Sequence, residues 1–169
     1  TVPQFEQLLS GSCRPYYHAR YRDWDKIQST IYGIDDTKRR IFVDVGANFG
    51  LISIPAKKYF QRIVSIEPHP ITAECLRQNM KNEKNGMNTC KYQVIEAAAG
   101  KHRGTVDLYC PPIPNTSGYM TTLPQENWSK QPVKQISIDS LGLPCCDFMK
   151  FDVQGAEIDS ISGAEQTIK

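Results

Sequence analysis

Three short stretches of the chain carry residue types that do chemistry. "DVGANFG" ends a β-branched run on Asp44 and Val45, then supplies Gly46, Asn48 and Gly50. Glycines let a backbone approach a ligand closely, and the helix after such a turn offers N–H groups to a pyrophosphate or an amino-acid carboxylate. "RIVSIEPHP" ends a second apolar run on Glu67, about 20 residues further on, where an acid can accept hydrogen bonds from ribose hydroxyls. "MKFDVQGAEI" puts Lys150 and Asp152 on one face of a strand, breaks at Gly155, and opens a helix with Glu157 in its first turn. Burying two opposite charges is costly unless they are paired or face a ligand. Lys150 and Asp152 are therefore a structural ion pair or part of a site.

The same spacings argue against other chemistries. A dinucleotide fingerprint would need glycine at positions 48 and 51, where Asn48 and Leu51 stand, so nicotinamide fits poorly. No Walker lysine follows the turn. The carboxylates could border a divalent ion, but the ligand set is incomplete, and no metal is expected. The six cysteines, Cys13, Cys75, Cys90, Cys110, Cys145 and Cys146, contain no C-x-x-C pair and no nearby histidine at zinc spacing. They read as reduced thiols packed as small hydrophobes. His18, His69 and His102 are weaker base candidates than Asp152 or Glu157.

The elements that must position these residues follow from the pattern. Ile41 to Val45, "RIVSIEP", "YQVIEAAAG" and "DFMKFDV" read as buried strands. A helix carrying Leu51, Ile54 and Tyr59 joins the first two. Pro68 and Pro70 open a second helix with Ala73, Leu76 and Met80, ended by "NEKNG". After Gly100, "GTVDLY" and "VKQISID" read as two strands flanking a long loop from Cys110 to Pro132. A final helix begins near Ala156, with Ile158, Ile161 and Ile168 expected on its inner side. Such alternation implies an α/β, doubly wound, mostly parallel sheet.

Residues 1–40 read as a separate helical segment before a domain spanning 41–169. Val2, Phe5, Leu8 and Leu9 make one apolar stripe, and Trp24, Ile27 and Ile31 another. Between them "CRPYYHARYRDW" is expected to cap the core or line a substrate entrance rather than to bind nucleic acid. At 169 residues and net charge +2, the chain fits one core and offers no broad electrostatic grip on nucleic acid or anionic lipid. No apolar run is long enough to span a bilayer. Reduced thiols favour the cytoplasm slightly, while the sequons at Asn115 and Asn127 keep the secretory pathway open.

Taken in order, "FVDVGANFG", "IVSIEPHP" and "MKFDVQGAEIDSISGAE" resemble the signature blocks of the FkbM-type S-adenosylmethionine-dependent methyltransferases, over residues 41 to 169. "ISIDSL" resembles a further family segment, with Asp139 its acid. The resemblance implies the Rossmann-like class I methyltransferase fold, with three more strands beyond Lys169. The chain thus reads as truncated, with a sheet edge open to association into oligomers. It implies S-adenosyl-L-methionine as cofactor: Gly46, Asn48 and Gly50 around the methionine portion, Asp44 at its ammonium, Glu67 on the ribose, and Glu96, Ala97 and Ala98 at the adenine. Asp152, Lys150 and Glu157 become the catalytic candidates, and O-methylation of a small-molecule or sugar hydroxyl the implied activity. Gln154 stands where the family block often has glutamate. That departure keeps an alternative in view, an interaction or assembly module that retains the fold without turnover.

Overall fold

The computed structural model describes residues 21–81, 89–112 and 119–169, with side chains from Trp24 onward. The stripe at Val2, Phe5, Leu8 and Leu9, most of the Arg/Tyr/His stretch, the "NEKNG" terminator, His18, Cys13 and the sequon at Asn115 lie outside these residues.

The branched run Ile41–Val45 forms β1, buried at all five positions. Only a strand covered on both faces is buried at every position in succession. It is followed by β2 (Arg62–Glu67), β3 (Lys91–Glu96), β4 (Ala98–Ala99), β5 (Gly104–Cys110), β6 (Ser129–Ile136) and β7 (Phe148–Phe151). Four of these make a parallel sheet in the order β3-β2-β1-β7. The order reverses direction between β1 and β7, and ligands of open α/β sheets bind at the carboxyl ends beside such a reversal.

The remaining strands form a second sheet, β4-β6-β5, in which β5 and β6 run antiparallel from Gly104↔Gln135 to Cys110↔Ser129. The expected third strand through Gly100 therefore splits. Ala97 still donates to the Glu67 carbonyl at 3.2 Å, but Ala98 and Ala99 pair with Gln135 and Ile136 instead. Three alanines in succession let the chain turn tightly from one sheet to the other. The loop after Cys110 is also shorter than expected, because β6 begins at Ser129. Pro132 is tolerated there because β4 covers only Gln135 and Ile136, leaving an open edge beside it.

Helix α1 (Tyr21–Tyr32) buries Trp24 and Ile31, with Ile27 against them, in the same cluster as Phe42, Phe60, Leu76 and Met80. The expected helix after the glycine turn shrinks to a single turn, α2 (Ser53–Ala56). Beyond it the amides of Lys57, Lys58 and Tyr59 reach back three residues, the tighter geometry that does not sustain long helices. Helix α3 (Pro70–Lys81) buries Ala73, Leu76 and Met80 as its spacing predicts, together with Cys75. No helix among the described residues is long and apolar enough to cross a membrane.

The C-terminal helix departs most from expectation. It is two short pieces, α4 (Glu157–Ser162) and α5 (Glu165–Ile168), and Ile158, Ile161 and Ile168 point outward, 82%, 43% and 56% exposed. The inner face is built from Ala156, Ser160 and Ala164 instead. Close approach is the reason. A Cβ on Gly163 would lie 2.0 Å from the Gly100 carbonyl, and Ser160 Oγ donates to the Ala99 carbonyl at 2.9 Å. Isoleucine on that face would not fit.

Candidate active site

The floor of the site is a polar row laid across the sheet by register. Lys150, Asp44 and Ser65 are direct neighbours on β7, β1 and β2. Asp44 is fully buried; its Oδ2 accepts from Ser53 Oγ at 2.6 Å, and Ser53 in turn meets Ser65 Oγ at 2.7 Å. Lys150 Nζ stands 3.1 Å from Asp44 Oδ1 and donates to the Gly46 carbonyl at 3.1 Å. The lysine is thus an ion-pair partner of Asp44 and a clamp on the glycine turn. Its distance to Asp152 Oδ2 is longer, 3.7 Å.

Above the floor, Gly46 adopts φ +74°, and a Cβ there would lie 2.0 Å from the Asp152 carbonyl. Glycine is required because the ends of β1 and β7 touch at this point. Four of the turn's amides are engaged inside the protein. Gly46 and Ala47 donate to the Ile66 carbonyl, Asn48 to Glu67 Oε2, and Gly50 to the Ala47 carbonyl. These four amides are therefore not the ones offered to an anion, and the turn presents a backbone surface that a ligand can approach. Gly50 faces Leu76, whose Cδ1 would be 2.7 Å from an added Cβ, so it is a packing glycine.

Glu67, at the end of β2, is buried, and its oxygens accept from the amides of Asn48 (2.9 Å) and His69 (3.1 Å). Loss of solvent pushes its pKa up to about 7 against those two hydrogen bonds and the charge of Lys150. The His69 ring meets Thr72 Oγ1 at 3.0 Å, a contact local to the start of α3, and burial holds its pKa low.

Past β7, Gln154 takes φ +55° and donates from its carboxamide to Asp152 Oδ1 at 2.8 Å. Its carbonyl accepts from Thr121 Oγ1 at 2.9 Å. A glutamate at this position would set a second carboxylate against Asp152; glutamine supplies a donor. Glu157 Oε1 accepts from the amides of Val153 (3.1 Å) and Gly155 (3.2 Å). Burial alone would raise its pKa, but the surrounding amides outweigh it and hold the carboxyl low. Through these two bonds Glu157 braces the turn. Asp139 is likewise structural, accepting from the amides of Gln166 and Thr167 at the start of α5.

Two clefts open at the carboxyl ends of the strands. The first, about 40 Å³, is lined by Gly46, Asn48, Glu67 and Ala97 to Ala99, with Met120 to Thr122 and Asp152 to Gln154. The second, about 340 Å³, lies between α1, the turn after β1 and the end of β7. Gly46, Asn48 and Asp152 line both.

A family model of the methyltransferase FkbM domain matches residues 44–169. The chain belongs to the FkbM methyltransferase family. A crystal structure of the methyltransferase FkbM from Methylobacillus flagellatus superposes with a TM-score of 0.54 at 21% identity, over 78% of this chain and 30% of that one. This likeness shows the Rossmann-like methyltransferase fold, and the present chain spans less than a third of that relative's length. A SAM-dependent methyltransferase from Leishmania major matches more weakly, with a TM-score of 0.38 at 18% identity over 56% of this chain and 37% of its own. A search of curated proteins gives no match.

Of the residues singled out in this FkbM chain from sequence, Glu67, Ala97 and Ala98 line the first cleft, Lys150 the second, and Gly46, Asn48 and Asp152 both. Asp44 lines neither cleft and pairs with Lys150. Gly50, Glu96 and Glu157 line neither, and Glu96 pairs with Arg77 at 2.9 Å on the α3 side. Sequence reasoning missed Met120 to Thr122, which carry no pattern of their own, and Lys26, whose helical position beside Ile27 was the available signal. Among the described residues no three His, Cys, Asp or Glu side chains gather to hold a metal ion.

Proposed function

We propose that this FkbM-family chain binds S-adenosyl-L-methionine in the first cleft and supports methylation of a hydroxyl on a small molecule or sugar entered from the second. The observation that carries the reading is Glu67: a buried carboxylate, held by two amides, with lone pairs left to accept ribose hydroxyls. The donor and acceptor chemistry of the cleft fits that cofactor, which when bound supplies an electrophilic methyl group.

Each residue then has a bounded task. Ala97 and Ala98 give an apolar border for the adenine, and Gly46 and Asn48 flank the methionine portion where the clefts meet. Asp44 and Lys150 fix the turn from below. Asp152, common to both clefts, takes the proton from the acceptor hydroxyl on a carboxylate oxygen, while Gln154 orients the other oxygen. Orientation supplies most of the rate, since methyl displacement needs little covalent help. At about 40 Å³ the first cleft must widen on binding, and Met120 to Thr122 are the residues in the way.

Calorimetric titration with S-adenosylhomocysteine, beside NAD and a Glu67→Ala variant, tests the reading. Micromolar binding lost in the variant is expected. A folded chain that binds neither ligand would leave the interaction-module alternative standing.

A further inference from the structure

The second cleft has a chemistry of its own. Its walls are largely apolar: Ile27 from α1, Leu51 and Ile52 after the glycine turn, and Phe151 from β7. A bare sugar would gain little from such surface, whereas an aromatic or aliphatic body would bury against it. Two kinds of charge border it. On the β7 side, Lys150 is matched by the buried Asp44 at 3.1 Å and by Asp152 Oδ2 at 3.7 Å, and Gln154 donates to the other oxygen of Asp152. On the α1 side stands Lys26. Among the described residues the ion pairs engage Arg39, Arg40, Arg77, Lys130 and Lys150, and none engages Lys26.

From this arrangement we infer that the acceptor is an anionic amphiphile: an apolar body carrying a carboxylate or phosphate, its anion met by Lys26 and its hydroxyl presented to Asp152. The inference rests on the reading of the second cleft as the acceptor's and narrows its substrate class. Lys26 is a specificity residue in it. Its ammonium selects the charge, the wall around Ile27 and Phe151 selects the body, and the cleft's volume of about 340 Å³ limits the acceptor to a small molecule.

The test uses the chain saturated with S-adenosylhomocysteine. The probes are 3-(4-hydroxyphenyl)propionate, its primary amide, 4-hydroxyphenethyl phosphate and glucose, with binding followed by calorimetry. Both anions are expected to bind about fivefold tighter than the amide, the scale of one partly solvated ion pair. The advantage should shrink with added salt. It should vanish in Lys26→Gln and persist in Lys130→Gln, a control on the remote β6 surface. Glucose should bind no better than buffer. Equal affinity for acid and amide, an anion preference retained in Lys26→Gln, or binding by none of the probes would each overturn the inference. Failure to bind S-adenosylhomocysteine is a separate result and refutes the cofactor reading instead. A preference for phosphate over carboxylate, or the reverse, identifies which anion the acceptor carries.

Discussion

Replacing Glu67 by glutamine removes a titration that burial displaces upward. Burial pushes the Glu67 pKa from 4.5 to about 7, with the His69 and Asn48 amides and Lys150 opposing it. The unfolded chain gives up this proton near 4.5, and the folded protein keeps it to about 7. Folding therefore takes up a proton across that window. The stability associated with the protonated form is fully present below 4.5, declines as pH rises through about 7, and is level above. At about 1.4 kcal/mol per pH unit, the displacement amounts to about 3 kcal/mol. Urea unfolding of wild type and Glu67→Gln, followed by far-UV circular dichroism at several pH values across the window, reads it directly. The carboxamide keeps only one of the two amide bonds, so the slopes are compared, not the absolute stabilities. His69, held low by burial, contributes an opposite slope that both proteins share. Asp139, Asp147 and Glu157 are held below their usual range and titrate beneath the window. Wild type should lose about 3 kcal/mol relative to the variant. Parallel curves would refute the argument, because they would mean that the carboxylate ionises as if solvated. A linked effect follows for the cofactor. Ribose hydroxyls donate to the ionised form, so S-adenosylhomocysteine should bind about tenfold tighter one pH unit above 7 than one below it, with no such dependence in the variant.

Gly46→Ala should cost about 2–4 kcal/mol in thermal or urea unfolding, since it adds left-handed strain to a backbone clash at Asp152; an unchanged midpoint would refute the close approach of β1 and β7. Lys150→Met leaves the buried Asp44 uncompensated and should cost about 3–5 kcal/mol. Adding Asp44→Asn to it should restore much of that loss, and a double-mutant cycle that proves additive would count against the pair. Asp139→Ala should lower stability by about 1 kcal/mol through loss of the cap on α5, with S-adenosylhomocysteine affinity unchanged; a large loss of affinity would return Asp139 to the site.

The parallel sheet was readable because β1, β2 and β7 are dense in branched and aromatic residues, and α3 because its apolar spacing is unbroken. The C-terminal helix differs by half a turn, since a hydrophobic ranking sends Ile158 and Ile161 inward while the close approach of Gly163 to Gly100 leaves an inner face of Ala156, Ser160 and Ala164. The chemistry of "MKFDVQGAEI" was legible as a choice between ion pair and site, and the structure divides it. Lys150 stands closer to Asp44 (3.1 Å) than to Asp152 (3.7 Å), and Asp152 lines both clefts. That division depends on strand register, which brings position 150 beside position 44, and no spacing within one segment encodes it. Lys26 and Met120 to Thr122 reach the clefts only through tertiary folding.

Among the described residues, Gly46, Asn48 and Asp152 border both clefts. Gly46 has no side chain, so at that point the partition is bare backbone. Under the proposed reading this imposes a schedule on turnover: whichever molecule arrives first shapes the berth of the second, and the spent cofactor must clear before the next round. Initial-rate plots should then intersect instead of running parallel, and surplus acceptor should slow the cycle by occupying its side out of turn.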